Sequence, residues 1–273
     1  MLSPSSPLDL PLAVVTGAGS GIGYALAQTL VSRHFEVIAI DRDISALAGL
    51  PGLQAVELDV SDAAGMQQLA DSLAHRPLNY LFANAGIGAP GTVLGAPLAA
   101  WQQAWDVNVM GALLSLRCWW PQLVAGQGKA VATVSTAALQ SYPGAALYRA
   151  TKAALLSALE SLYYEGKGSG VAVHALCPGI VQSNIAANAH KSFPGAAALV
   201  SAPADPFSAW LAQAMRTAES AAHFAERVLE RLEDPLSPPP FYWFTHPEGM
   251  PWIEGRHRAI LGGQPFAEFG TPP

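Results

Sequence analysis

Between residues 12 and 180 the chain repeats one pattern, a short apolar run rich in Val, Ile and Ala followed by a longer segment of helical period. The strand candidates are LAVVT (12 to 16), EVIAI (36 to 40), QAVEL (54 to 58), NYLFA (79 to 83), AVATV (130 to 134) and VAVHA (171 to 175). Most are continuous apolar runs, the form taken by strands covered on both faces. Helix candidates lie between them, near 22 to 33, 62 to 74, 98 to 125 and 145 to 165, the second opened by a Ser61/Asp62 cap. Such repetition requires crossovers of one hand, which stack helices on both faces of a parallel sheet. With 51% hydrophobic and only 12% charged residues, the chain has the apolar surface for that core and is not disordered.

The remaining composition excludes several classes. Fourteen Lys+Arg against twenty Asp+Glu leave a net charge of −6, so no basic field exists to attract nucleic acid. Apolar stretches break before the ~18 residues of a membrane span, and MLSPSSPLDLPL lacks the basic start of a signal peptide, which together predict a cytoplasmic protein with no membrane partner. Cys118 and Cys177 have no ligand spacing and read as two buried thiols, with no metal site.

No linker or internal repeat divides the chain, so residues 1–273 read as a single domain. After Pro178 the alternation stops. The stretch 183–217, rich in Ala, Ser and Pro with Phe193, Phe207, Trp210 and Met215, reads as a partly helical substrate lid. SAAHFAERVLERLED (220 to 234) carries Ala222, Ala225, Val228, Leu229 and Leu232 at helical spacing, and FYWFT (241 to 245) reads as a last strand. The C-terminal tail, 246–273, shows no readable period.

Directly after the first strand stands TGAGSGIG (16 to 23), leading into a helix with Ile22, Leu26 and Leu30 on one face. Glycines at such a turn let the backbone approach a pyrophosphate, while the helix N-terminus attracts it. The spacing Gly17, Gly21, Gly23 departs from the general GxGxxG fingerprint. Asp41 ends the second strand twenty residues beyond Gly21, where an acidic side chain meets the adenosine ribose. It would repel a 2′-phosphate and so favours NAD, while Arg42 beside it leaves NADP open. Asp59 and Val60, and the Asn84, Ala85, Gly86 triplet, follow the third and fourth strands at the carboxyl edge, where open α/β sheets bind ligands.

In ALYRATKAALLSALESLYY, Tyr148 and Lys152 are one helical turn apart and can share a site. A phenol near pKa 10 is a weak acid or base at neutral pH, and a neighbouring ammonium would lower it into use. Taken alone, the pair also fits a solvated Lys beside a half-buried Tyr. Ser135 ends the fifth strand at the same edge, with a hydroxyl able to bond a substrate oxygen or merely to cap the strand. Asn108 falls inside an apolar helical stretch, where its amide bonds backbone, binds water or faces a cavity.

Taken in order, TGAGSGIG, NAG, NVMG, Ser135, YRATK and PGIVQSN resemble the short-chain dehydrogenase/reductase family in its single-domain branch, over about residues 10 to 185. The resemblance implies a Rossmann-type doubly wound α/β fold with a parallel sheet of about seven strands, helices on both faces and a variable substrate lid. It implies Tyr148 as general acid/base, Ser135 as the group orienting the substrate oxygen, Lys152 on the nicotinamide ribose, and Asn108 holding a proton-relay water. It likewise puts Gly17, Ile22 and Gly23 at the pyrophosphate and Asp41 at the adenosine ribose, with Ser20, Gly21, Arg42 and Tyr148 among the further cofactor contacts. Asp59 and Val60 fall to the adenine, Asn84, Ala85 and Gly86 to the adenosine half, and Ile180 and Ser183, after the cofactor contacts Pro178 and Gly179, to the nicotinamide amide. Ser183 stands where the family usually has Thr. A homodimer or homotetramer is implied as well.

The reading is therefore an NAD-dependent, secondarily NADP-dependent, alcohol dehydrogenase or ketoreductase, with Ala137, Tyr142, Ile185 and Phe193 lining an apolar pocket for a bulky secondary alcohol. A sensor that binds NAD(H) without turnover would be indicated by loss of Tyr148 or Lys152, and both are present. A nucleotide-sugar epimerase of the longer branch would need a larger carboxyl-terminal domain and GxxGxxG.

Overall fold

In strand β1 (Leu12–Thr16) every residue is buried, and successive side chains enter two different cores. Leu12 and Val14 belong to one cluster, Ala13 and Val15 to the other. That is the period-2 geometry of a strand covered on both sides, and it explains the unbroken apolar run. The same division holds in β4 (Tyr80–Ala83) and β5 (Lys129–Thr133), where Leu81, Ala83, Ala130 and Ala132 face one way and Phe82 and Val131 the other.

The computed structural model describes residues 10–89, 91–183, 185 and 213–263. Seven parallel strands lie in the order β3-β2-β1-β4-β5-β6-β9, with β2 Glu36–Asp41, β3 Leu53–Glu57, β6 Ala172–Cys177 and β9 Tyr242–Phe244. Helices α2 (Ala63–Ser72), α4 (Ala112–Gly126) and α5 (Ala146–Glu165) supply Met66, Leu116, Trp119 and Leu155 to one core. Helices α1 (Gly21–Ser32) and α6 (Ala221–Glu233) supply Leu26, Leu30, Phe224 and Leu229 to the other. The fold is thus a seven-stranded parallel α/β sheet flanked by helices, as the sequence predicts. The strand order reverses between β1 and β4, and a ligand crevice opens at such a reversal beyond the carboxyl ends of the strands.

Differences from the sequence expectations have local causes. The helix expected over 98–125 is α3 (Leu98–Trp105), a π-helical turn (Asp106–Gly111) and α4. In α6 the buried stripe uses Phe224 rather than Ala222, which is exposed. The tail holds a helix that escaped the periodicity reading, α7 (Met250–Gly262), because Ile253 is its one buried residue and no apolar stripe exists. A two-stranded parallel pair, β7 (Val181–Gln182) with β8 (Glu219–Ser220), was also not foreseen. Phe193, Phe207 and Trp210, with most of the lid, lie outside the described residues. Both cysteines are buried and free. Among the described residues no helix is long and apolar enough to cross a membrane.

Candidate active site

The turn after β1 holds its shape only with glycine. Gly17 has φ +69°, and a side chain there would come within 2.8 Å of the Ala85 Cα. A Cβ on Gly23 would fall 2.1 Å from the Gly17 carbonyl oxygen. The N-terminus of α1, from its N-cap Ser20 through Gly21 and half-buried Ile22, thus lies tight against the β4 loop. Gly21 lies close to Ser183, a Cβ on it falling 3.1 Å from the Ser183 Cβ, and the two line an open cleft of about 350 Å³ with Gln182 and Met215. A bare backbone at a helix N-terminus is a phosphate cradle, and it fits a dinucleotide.

Asp41 is tied into the same turn. Its two carboxylate oxygens accept from the Gly19 N–H at 2.8 Å and the Asp43 N–H at 3.0 Å, which fixes the carboxylate at the carboxyl end of β2. Arg42 beside it is exposed. Asp59 is exposed, and one of its oxygens takes both the N–H and hydroxyl of Ser61. Val60 is buried against Gly111 of the π-turn. Asn84 uses its amide as a strut, donating to the Thr16 carbonyl at 3.1 Å and accepting from the Thr133 hydroxyl at 3.0 Å. The Thr16 hydroxyl in turn accepts from the N–H groups of Asn84 and Ala85. Strand-end hydroxyls at Thr16 and Thr133 therefore shape this loop, and only their position at strand ends hinted at it.

Ser135, Tyr148 and Lys152 come together beyond β5. The Ser135 hydroxyl lies beside the Tyr148 phenol, where it favours the ionised form, and accepts from the Ala137 N–H at 3.1 Å, so it both caps and contacts. Lys152 is not a solvated lysine. It is 2% exposed, and its ammonium donates to the Thr133 carbonyl at 2.7 Å, 5.8 Å from the centre of the Tyr148 ring. Burial pushes the Tyr148 phenol up to about 12, with the Ser135 hydrogen bond pulling it back, and pushes Lys152 down to about 8. The lowered phenol expected from an adjacent ammonium is thus not what the chain alone produces, because loss of solvent outweighs the neighbours.

Asn108 is fully buried in the π-turn. Its amide takes the Ile87 N–H at 2.7 Å and donates to the Ile87 carbonyl and the Thr151 hydroxyl, both at 3.1 Å. Of the alternatives open from sequence, backbone bonding is the one observed. Both Asn108 Oδ1 and Lys152 Nζ stand 3.3 Å from where a Gly86 Cβ would be, so the two elements converge under that exposed glycine.

The residues expected to line a substrate pocket are partly brought together. Ala137 is buried, Tyr142 is half-buried beside Tyr148, and the Ile185 carbonyl backs onto Gly88. Phe193 is outside the described residues. Arg149 was not singled out from sequence. It donates to the carbonyls of Gln140 and Tyr142, the latter at 3.1 Å, and lies over the Tyr142 ring at 5.1 Å. It clamps the loop between Ser135 and Tyr148, and its only sequence signal is a cation inside YRATK.

Comparison with known proteins decides the family. Residues 11–192 match the short chain dehydrogenase family model. The chain belongs to the short-chain dehydrogenases. An uncharacterised oxidoreductase of Mycobacterium tuberculosis is 39% identical over 176 residues, 63% of this chain and 70% of that protein. The meso-2,3-butanediol dehydrogenase of Serratia marcescens is 29% identical over 185 residues, 65% and 74% of the two chains. A short chain dehydrogenase/reductase from Burkholderia phymatum, solved in complex with NAD, is 30% identical with a TM-score of 0.82 over 98% of this chain and all of that one. This short-chain dehydrogenase is accordingly an oxidoreductase that works with a nicotinamide dinucleotide, for which the glycine cradle has the shape.

Proposed function

We propose that the chain is one catalytic domain that oxidises a secondary alcohol or reduces the corresponding ketone, with NAD preferred over NADP and an apolar substrate. The observation that carries it is the buried Lys152 ammonium 5.8 Å from the Tyr148 ring with Ser135 beside the phenol, at the carboxyl edge near the cradle. NAD, when bound, supplies the acceptor for the substrate hydride. Ser135 holds the substrate oxygen, and Tyr148 takes the hydroxyl proton during oxidation or returns it during reduction. With its phenol pushed up to about 12, Tyr148 stands protonated at neutral pH, ready as the acid of ketone reduction. Lys152 would meet the nicotinamide ribose, and the main-chain cradle of residues 17 to 23 the pyrophosphate. Asn108 acts through position, fixing Ile87 and Thr151 with its side chain.

The NAD preference rests on Asp41, whose carboxylate is pinned where a 2′-phosphate would have to approach it. The butanediol-oxidising relative supports the secondary alcohol class. Tyr142 and Ile185 support apolar walls. Loss of proton transfer by Tyr148→Phe should lower kcat about a hundredfold to ten-thousandfold while NADH binding, followed by fluorescence, is retained. A Tyr148→Phe enzyme with wild-type kcat overturns the acid–base assignment. Higher kcat/KM with NADP than with NAD overturns the Asp41 argument alone, and equal turnover of small polyols and aryl alcohols overturns the apolar pocket.

A further inference from the structure

The backbone from Cys177 to Val181 crosses the site between two sheets and is held along its length. Pro178 receives the Thr136 N–H on its carbonyl at 3.0 Å, and Val181 pairs with Glu219 of β8. The Gly179 N–H has a side chain as its partner, His246 Nδ1 at 3.1 Å, just beyond β9. The packing is close, since a Cβ on Gly179 would fall 2.8 Å from the His246 Cβ. His246 is 8% exposed, with its ring stacked on Phe224 at 5.9 Å.

The partners fix where the proton of this ring sits. An amide N–H can only donate, so Nδ1 is unprotonated and the Thr245 hydroxyl, 2.8 Å away, also donates to it. The neutral ring therefore carries its proton on Nε2, which lies 3.4 Å from Glu219 Oε2 but out of hydrogen-bond alignment. Arg227 of α6 holds both oxygens of Glu219, at 2.8 and 2.9 Å, and His223 lies 3.5 Å from one of them. Glu219 and Glu248 favour the imidazolium, while Arg227 and above all burial disfavour it. A second proton would have to enter at Nδ1, pointing an N–H at the Gly179 N–H and leaving that amide without its acceptor.

We propose that His246 is a positioning residue for the cofactor, its neutral imidazole holding the Pro178–Ile180 backbone in the shape that receives the nicotinamide, and that protonation of the ring lets this segment go. The inference rests on the cofactor reading above.

The test is the dissociation constant of NADH from pH 7.5 to 5.0, read by protein fluorescence in the wild type, His246→Asn and His246→Phe. Wild-type binding should weaken about threefold to tenfold on acidification, the worth of one neutral hydrogen bond. His246→Asn, whose Oδ1 replaces Nδ1 as acceptor, should stay nearly flat. His246→Phe should bind at pH 7.5 as weakly as the acidified wild type, and the Gly179 amide resonance of wild type should move with the ring's titration. A pH-independent wild type, a slope that survives in His246→Asn, or wild-type affinity in a folded His246→Phe would each overturn the assignment. Should no dinucleotide bind wild type at any pH, the cofactor reading itself falls and takes this one with it.

Discussion

Lys152 carries an ionisable amine into a place with almost no water, and its stability consequence has a definite sign. Its folded value of about 8 is depressed from 10.5, so the stability linked to it is present above 10.5 and is lost as pH falls through 8. Between those values the unfolded chain holds more protons, and the wild type gains on a variant lacking the amine. Lys152→Met should therefore lose ground to wild type by about 2 kcal/mol between pH 7 and pH 9.5, measured as the difference in urea-unfolding free energies. A difference that stays constant over that range would mean Lys152 is not depressed. The positions of Tyr148 and Lys152 were legible because one helical turn in sequence is one turn in space. Their protonation energetics were not, since these depend on β5 and β6 packed above them. Arg149 and His246 were missed for the same reason: a cation beside a tyrosine and a histidine in a patternless tail acquire meaning only through the carbonyls of residues 140 and 142 and the amide of Gly179.

Among the elements, the π-turn between α3 and α4 decides where Asn108 sits. The extra residue in the turn carries Asn108 inward, where it saturates the backbone of Ile87. π-Helical turns recur at functional positions. Removing the amide by Asn108→Ala leaves a buried N–H and a buried carbonyl without partners. The expected cost is about 2 to 4 kcal/mol, seen as a drop in Tm of several degrees. A Tm within one degree of wild type, roughly the resolution of such a comparison, would show that Ile87 finds other partners. The strands were legible because burial on both faces writes itself as an apolar run. The π-turn was hidden because its residues keep a helical hydrophobic pattern on either side, and α7 because it buries little. The β7–β8 pair involves two residues from each strand, too few for any period to register.

At the scale of the molecule, the sheet gathers the carboxyl ends of β1, β2, β4, β5 and β6 into one crevice, and the last described elements close its far side. Strand β9 covers the edge of β6, pairing Ala175, Leu176 and Cys177 with Tyr242, Trp243 and Phe244. Trp243 is 6% exposed and joins Phe224 and Leu229 in the second core. A chain ending at Asp234 should lose cooperative unfolding and aggregate, as followed by circular dichroism and sedimentation, because it bares an apolar strand edge and a core face together. A soluble truncated chain with a wild-type transition would sink that expectation. The sheet order also sets a timetable for the newborn chain. As it leaves the ribosome, β1, β2 and β3 find one another at once and β4 soon follows, but β6 is finished at Cys177 and its outer neighbour does not begin until Tyr242. Through all the intervening synthesis the apolar outer edge of β6 waits open, a surface on which a chaperone would act.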